Sequence, residues 1–217
     1  MPVRAVVFDF NGTISDDEPI LCEIFRRLFA AHGKPLSVRE YFDQLAGRSD
    51  PEIVRTWLGP DHPAVDEVIE QRIALYCEAV ADGSSIPTRV RSAVLYTAER
   101  VQVGIVSGAA REEIAPVIEA AGLGEAIDVV VAAEDVVRGK PNPEGYERAL
   151  DLFDHDIRAG EVLVFEDTEA GVAAAKAAGM RCLGVLGTLP RERLAAADGI
   201  VPLIDRPLVE RLLATER

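Results

Sequence analysis

Short apolar runs alternate with longer stretches of helical periodicity over most of this chain, and the alternation restricts the folds that it can adopt. The first run covers residues 3–9 and ends in Asp9. The later runs, each separated by a helical stretch, cover residues 101–106, 128–132, 162–165, 181–185 and 199–201. Strands that alternate with helices in this way predict an α/β protein built on a doubly wound parallel sheet.

One segment departs from the alternation, because residues 16–84 carry helix signals and no strand pattern. Three capping boxes predict helix starts, at Ser15–Glu18, Ser37–Glu40 and Ser49–Glu52. The third has a proline in its first turn, where the missing N–H does no harm. A longer helix is predicted over residues 64–81, with Tyr76 on its apolar face.

These patterns divide the chain into two predicted domains. Residues 1–15 together with 85–217 form the core, and residues 16–84 form an inserted, all-helical cap. The two crossings between them, near 14–17 and 82–86, are expected to be hinges.

Composition excludes several classes of function. The net charge is −14 and no run of Lys and Arg is present, which is not the pattern of a nucleic-acid-binding protein. No apolar stretch approaches the roughly 20 residues that span a bilayer, and no signal-peptide pattern is expected at the N-terminus. The three cysteines, Cys22, Cys77 and Cys182, lack metal-ligand spacing, so we expect a cytoplasmic protein with reduced thiols.

Polar side chains stand at the ends of several predicted strands or just before helices. Asp9 ends the first strand, Ser107 follows the second, and Lys140 lies in a Gly-Lys-Pro turn before a helix. Glu166 and Asp167 follow the strand at 162–165. Because the carboxyl ends of parallel strands meet at one edge of a sheet, these side chains are expected to converge in one crevice.

The carboxylates have a role in phosphoryl transfer. A carboxylate can act as the nucleophile and form an aspartyl-phosphate. Magnesium needs hard oxygen ligands and usually keeps several waters, so one or two carboxylates are sufficient. Asp9 and Asp167 meet that need, and Glu166 is expected to act through water.

The remaining polar groups suit the phosphoryl oxygens. Lys140 offsets the charge of the transferring group, and the Ser107 hydroxyl can hold its oxygens. Gly108 and Ala109 are expected to open a helix, whose first N–H groups favour anions.

The segment from Asp9 to Thr13, Asp-Phe-Asn-Gly-Thr, resembles the first motif of the haloacid dehalogenase superfamily, Asp-x-Asp-Gly-Thr in its phosphatases. The later sites occur in the order of the remaining three motifs, at Ser107, at Lys140 and at Glu166-Asp167. The resemblance extends over the whole chain. It is greatest to the branch of phosphoglycolate phosphatase-like and β-phosphoglucomutase-like enzymes, which implies a Rossmann-like core with a helical cap after the first motif.

The resemblance also implies roles for individual residues. Asp9 would be the nucleophile, and Mg²⁺ would be held by Asp9, the backbone carbonyl of Asn11 and Asp167. Ser107 and Lys140 would bind the phosphoryl group.

Two further residues are expected to contact substrate. Thr13 belongs to the first motif, and Arg48 lies in a Gly-Arg-Ser loop that resembles the substrate-recognition loop of this branch. The substrate is expected to be a small phosphorylated metabolite, because the cap would restrict access to the site. We expect a monomer or weak homodimer that binds neither nucleic acid nor membrane.

Asn11 is a departure from the family motif, which has a second Asp at this position. In the family that Asp protonates the leaving group and then takes a proton from the attacking water, and an amide does neither. General acid–base help of this kind is typically worth 10²–10⁴-fold in rate. We therefore expect slow hydrolysis of alkyl phosphates and a smaller loss with acyl phosphates, whose leaving groups need no proton.

The same substitution keeps other interpretations open. Haloacid dehalogenases also lack the second Asp, but they dispense with metal and with a Glu-Asp pair. Phosphonoacetaldehyde hydrolases need a cap lysine, and Lys34 is the only lysine in the cap segment. A β-phosphoglucomutase-like phosphotransferase would need both the second Asp and a hinge His, where Leu21 stands here. A non-catalytic module that binds a phosphorylated metabolite is the alternative outside enzymes.

Overall fold

The computed structural model of the protein describes residues 2–214. Six strands form one sheet: β1 (Ala5–Phe8), β2 (Gln102–Val106), β3 (Val129–Val131), β4 (Val162–Glu166), β5 (Arg181–Val185) and β6 (Gly199–Val201). Their spatial order is β3-β2-β1-β4-β5-β6, and each neighbouring pair is parallel. The predicted Rossmann-like α/β fold is therefore confirmed.

Nine α-helices lie within residues 2–214. They are α1 (Glu18–Ala31), α2 (Val38–Glu40), α3 (Asp50–Leu58), α4 (Val65–Val80), α5 (Thr88–Ala98), α6 (Arg111–Ala120), α7 (Glu144–Leu152), α8 (Glu169–Ala177) and α9 (Arg206–Ala214). A single π-helical turn, Tyr41–Leu45, continues α2. Among the helices of this described part, none is long and apolar enough to cross a membrane.

The sheet is buried on both faces. Along β1, Val6 and Phe8 enter one hydrophobic cluster, whereas Ala5 and Val7 enter the other. The ring of Phe8 stacks on that of Phe165 in β4, with centroids 5.2 Å apart. Because apolar side chains cover both faces, polar residues of the central strands can reach a ligand only at the edge where the strands end.

Between β1 and β2 the chain contains helices and no strand, and we call residues 18–80 the helical insertion. Aromatic side chains form much of its interior. Phe25 packs on Phe29 with ring centroids 5.4 Å apart and on Tyr41 at 6.2 Å, and Phe29 packs on Trp57 at 6.3 Å. The predicted boundaries at residues 15/16 and 84/85 stay a prediction.

The helix starts agree with the capping boxes at two of three places. Ser37 accepts the Glu40 N–H, and the Glu40 carboxylate accepts the Ser37 N–H. At Ser49 the Glu52 carboxylate accepts the N–H of the serine at 3.0 Å. The box predicted at Ser15 is wrong, because the Ser15 N–H donates to the Phe10 carbonyl and the Glu18 carboxylate accepts from Tyr41, and α1 begins only at Glu18.

A buried ion cluster joins the helical insertion to the rest of the protein. Arg72 on α4 lies 3.1 Å from Asp50 Oδ2 at the start of α3, and it also donates to Glu113 on α6. Arg72 is only 5% exposed. Removing one partner of such a buried cluster typically costs about 3–5 kcal/mol, because the remaining charge has no counterpart.

The return from the helical insertion depends on a glycine. Gly83 has φ of +72°, and a Cβ placed on it would lie 2.7 Å from the backbone nitrogen of Ala121. Gly33 has a similar φ of +70°, but nothing lies within 4 Å of its Cβ position. A comparison of substitutions at the two glycines therefore distinguishes the cost of backbone strain from the cost of steric overlap.

We expect Gly83→Ala to lower the free energy of unfolding by about 2–4 kcal/mol, since it adds overpacking to the left-handed backbone cost. Gly33→Ala is the matched control, with an expected loss of about 1–2 kcal/mol from the backbone alone. Urea unfolding of the three proteins measures both values. Equal losses would show that the contact with Ala121 relaxes without cost.

Candidate active site

Asp9 follows β1 directly, at the centre of the sheet. Phe8 pairs with Ile105 of β2 on one side and with Phe165 of β4 on the other. The N–H of Asp9 donates to the carbonyl of Phe165 at 3.0 Å. The residues that end β2 and β4 therefore flank Asp9, as the parallel topology predicts.

Lys140 reaches this edge from the loop before α7. Its Nζ donates to Asp9 Oδ1 at 2.5 Å, to Glu166 Oε1 at 2.5 Å and to the Val106 carbonyl at 3.0 Å. All three hydrogens of the ammonium group are thereby used. One cation thus joins the ends of three neighbouring strands, β1, β2 and β4.

Glu166 is fully buried and held on both carboxylate oxygens. Besides Lys140, Oε1 accepts from the Tyr146 hydroxyl at 3.1 Å, and Oε2 accepts from the N–H and the hydroxyl of Thr168. A side chain at position 171 would collide with it, since a Cβ on Gly171 would lie 1.7 Å from Oε1. Because each of its oxygens already accepts two hydrogen bonds, Glu166 is less free than Asp167 to bind a metal directly, and its action through water stays a prediction.

Asp167 differs from Glu166 in having an oxygen without a protein partner. Its Oδ1 accepts from the Thr13 hydroxyl at 3.1 Å, whereas Oδ2 is buried and makes no well-formed hydrogen bond within the described residues, although the Thr188 hydroxyl lies near this carboxylate. Asp9, Glu166 and Asp167 each offer an oxygen within 4.8 Å of the others. A buried, unpaired carboxylate oxygen is costly, and a hard cation would satisfy it. The donor set therefore fits a divalent metal.

Electrostatics agree with this interpretation. Burial raises the pKa of Asp9 to about 7, although Lys140 opposes the shift. Burial and the charge of Asp9 raise the pKa of Asp167 well above its ordinary value. The carboxylates in turn raise the pKa of Lys140. Three carboxylates face one ammonium group, so this edge of the sheet has an excess of negative charge in the absence of a cation.

The Asn11 side chain lies in a polar cluster of its own. Its Nδ2 donates to Asp17 Oδ2 at 2.9 Å and to the Tyr76 hydroxyl at 3.2 Å. Asp17 Oδ1 accepts the Gly12 N–H at 3.1 Å, and Oδ2 also accepts from Tyr76. Asp17 is fully buried, and burial raises its pKa.

Ser107 stands at the end of β2, as predicted. Its N–H donates to the Val131 carbonyl at 3.0 Å, and its hydroxyl accepts the Ala109 N–H at 3.0 Å. Gly108 and Ala109 lie just before α6, which begins at Arg111. Their role in binding phosphate stays a prediction.

Arg48 is not brought together with the other predicted site residues. It is exposed, and its guanidinium donates to the Thr56 hydroxyl at 3.5 Å. The glycine before it lies against the site edge, since a Cβ on Gly47 would be 3.3 Å from Thr168 Cγ2. The loop therefore lies over the core, and a substrate contact by Arg48 stays a prediction.

Glu18 is an acidic residue near the site whose pKa is strongly shifted. Its carboxylate accepts from the Tyr41 hydroxyl at 3.0 Å, and it lines a cavity of about 140 Å³ together with Thr13. Burial, with smaller contributions from the charges of Asp17 and Asp9, raises its pKa to about 7.

The sequence patterns do not identify five of these residues as part of the site: Asp17, Glu18, Tyr76, Tyr146 and Thr168. Acidic residues before an apolar run are typical of a helix start, and an apolar helix face accounts for a tyrosine equally well. A chemical signal could have indicated Asp17. Asn11 replaces a carboxylate of the family motif, and Asp17 supplies a carboxylate a few residues later.

The fold and this edge of the sheet are those of a hydrolase family. The protein belongs to the haloacid dehalogenase-like hydrolases, whose family profile matches residues 3–179. The resemblance noted in the sequence is therefore confirmed.

Several known proteins are similar over nearly the whole chain. A validoxylamine A 7'-phosphate phosphatase of Streptomyces hygroscopicus subsp. limoneus is 30% identical over 200 residues, 90% of this chain and 91% of that protein. A phosphorylated carbohydrates phosphatase of Thermotoga maritima is 28% identical over 214 residues, 93% and 94% of the two chains. A CbbY variant from Rhodobacter sphaeroides, crystallised with xylulose-(1,5)-bisphosphate, has a TM-score of 0.80 at 23% identity and covers 93% and 94%. The last similarity concerns the fold alone.

The raised pKa of Glu18 predicts a pH-dependent stability. Ionisation is disfavoured in the folded state, so the penalty is absent below about pH 4.5 and complete above about pH 7. Glu18→Gln keeps a partner for Tyr41 and cannot ionise. The stability of the variant relative to the unsubstituted protein should therefore rise by about 1–3 kcal/mol between about pH 5 and pH 8.

Urea unfolding at the two pH values measures this difference. Glu23→Gln, on the exposed side of the same helix, is the control for removing one negative charge. A relative stability of Glu18→Gln that does not change with pH, or changes as it does in the control, would contradict the prediction.

Proposed function

We propose that this protein is a Mg²⁺-dependent phosphatase of small phosphorylated carbohydrates that forms an aspartyl-phosphate on Asp9. The observation that carries the proposal is Lys140, which bridges Asp9 and Glu166 beside the unpartnered oxygen of Asp167. The set combines a nucleophile, a cation for the transferring group and ligands for a metal. The substrate class is suggested by the two relatives whose names are phosphatases of carbohydrate-like phosphates.

The chain's own residues would divide the reaction between them. Asp9 and Asp167, with the backbone carbonyl of Asn11, would hold Mg²⁺, and Glu166 would hold one of its waters. The metal would supply positive charge to the phosphoryl oxygens. Lys140 would keep the nucleophile and the phosphoryl group close despite their like charges.

The two chemical steps both involve Asp9. Its carboxylate attacks phosphorus, the bond from phosphorus to the substrate oxygen breaks, and the leaving oxygen takes a proton from solvent. Water then attacks the aspartyl-phosphate, the bond from phosphorus to Asp9 breaks, and phosphate leaves. Because Asn11 cannot exchange a proton, we expect alkyl phosphates to react about 10²–10⁴-fold more slowly than with a carboxylate there, and acyl phosphates to be affected less.

The helical insertion would act as the cap of this site. Its α4 contacts the core through Arg72 with Glu113 and through Tyr76 with Asn11. A closed cap would exclude water and large substrates from Asp9. We further propose that the protein acts in the cytoplasm, where its three free cysteines would stay reduced.

Phosphate release in the presence of Mg²⁺ tests the proposal, with a panel of sugar phosphates and with acetyl phosphate. Asp9→Asn should lower the rate more than about a thousandfold because it removes the nucleophile. Asp61→Asn is the matched control, since Asp61 is exposed in the loop between α3 and α4, and it should leave the rate unchanged. Tight binding of phosphate esters with no release and no phosphorylated Asp9 would instead indicate a non-catalytic module. Transfer of the phosphoryl group to a second sugar would indicate a phosphotransferase.

Metal binding can be measured separately from turnover. Saturating Mg²⁺ should raise the melting temperature by about 5–10 °C, because it binds the folded state alone. Asp167→Asn should lose most of this shift, whereas Asp61→Asn should keep it. An unchanged shift in Asp167→Asn would place the metal elsewhere.

A further inference from the structure

Asn11 does not stand alone in the structure, because two side chains hold its amide group. Asp17 from the end of the loop after β1 and Tyr76 from α4 both lie within hydrogen-bond distance of Nδ2, at 2.9 and 3.2 Å. Tyr76 and Asp17 also bond to each other, at 2.5 Å. Asp17 and Tyr76 are both fully buried, so the contact between them is shielded from water, and Asn11 is half-buried beside it.

The chemistry of the partners fixes which way the amide points. A carboxylate only accepts hydrogen bonds, so the atom of Asn11 that faces Asp17 is the NH₂ and not the oxygen. The Tyr76 hydroxyl donates its hydrogen to Asp17, and its oxygen then accepts from Asn11. The two acceptors are only 2.5 Å apart and lie on the same side of the amide nitrogen, so one N–H of Asn11 serves both, and among the described residues none donates to its Oδ1. The carbonyl oxygen of the side chain is left to accept a hydrogen bond.

We infer that Asp17 and Tyr76 are positioning residues that hold the Asn11 carboxamide with its oxygen available to orient the attacking water. This inference rests on the proposed function and extends it to the second step. Water donates one hydrogen bond to Asn11 Oδ1 as its oxygen attacks the phosphorus of phosphorylated Asp9. The bond from phosphorus to Asp9 breaks with its electrons on the carboxylate. Of the two water protons, one stays on the transferred oxygen and one passes to another oxygen of the phosphate.

The same contacts predict that restoring a carboxylate at position 11 is not enough. In Asn11→Asp two carboxylates would face each other across the present contact between Asn11 and Asp17, and like charges at that distance repel. The exchanged pair, Asn11→Asp with Asp17→Asn, returns an amide donor facing a carboxylate acceptor. It should therefore be more active on alkyl phosphates than Asn11→Asp alone.

The first test separates formation of phosphorylated Asp9 from its breakdown, by rapid quenching after mixing with ³²P-labelled acetyl phosphate and Mg²⁺. Asp17→Ala should slow breakdown by about tenfold to a hundredfold and formation far less, so that phosphorylated Asp9 accumulates. Tyr76→Phe should show the same pattern more weakly, and Asp61→Asn should match the unsubstituted protein. If Asp17 had a merely structural role, Asp17→Ala would slow formation and breakdown equally or would slow neither. Either result would overturn the assignment.

A second measurement does not depend on turnover. The side-chain amide signals of Asn11 in a ¹⁵N correlation spectrum are identified by their loss in Asn11→Asp. The hydrogen that faces Asp17 and Tyr76 should exchange slowly with solvent, and Asp17→Ala should make it exchange at least about tenfold faster. Unchanged exchange would show that Asp17 does not hold the amide. If the protein never forms phosphorylated Asp9, the proposed function and the role in hydrolysis fail together, and this spectrum still decides whether the amide is held.

Discussion

Three carboxylates meet at one edge of the central sheet with a single ammonium group among them, and much of the site is arranged around this imbalance. The charge of Glu166 is neutralised by Lys140, and its carboxylate oxygens also accept hydrogen bonds from Tyr146 and Thr168. Asp9 shares the same lysine, whereas Asp167 keeps a buried oxygen without a partner. Burying such a group is costly unless a cation accompanies it. The unequal treatment of three similar side chains thus suits one as a support, one as a nucleophile and one as a metal ligand.

Helix α4 connects this edge to the helical insertion. Its Arg72 lies in a buried cluster with Asp50 and Glu113, and one turn further on Tyr76 reaches the loop that carries Asn11. The same helix therefore fixes where the helical insertion packs on the core and how the Asn11 side chain is oriented at the site. A change at either contact is expected to be transmitted to the other, because a helix moves as one body.

The sheet, the helix-only segment and the convergence of Asp9, Lys140 and Asp167 could be predicted from the sequence. Strand periodicity is a local signal, and in a parallel sheet it has one geometric consequence: the residues that follow the strands meet at the same edge. The contact between Asp17 and Tyr76 joins residues 59 positions apart, and no local pattern encodes it. The Ser15 capping box failed for the same reason. The residues fit the pattern, but the carboxylate that the pattern assigns to the helix start accepts a hydrogen bond from a residue distant in sequence instead.

The position of β1 in the sheet has a consequence for how the chain is made. Ala5 pairs with Gln102 and Val162, so the first strand to be synthesised waits for partners that come late. At about 5–20 residues per second the second partner follows roughly 8–30 seconds after β1. The helices of the insertion form local contacts and can fold in that interval. The apolar strand that ends in Asp9 cannot, and an unpaired strand is a template for association with other chains. The segment that carries the proposed nucleophile is thus also exposed to aggregation during synthesis.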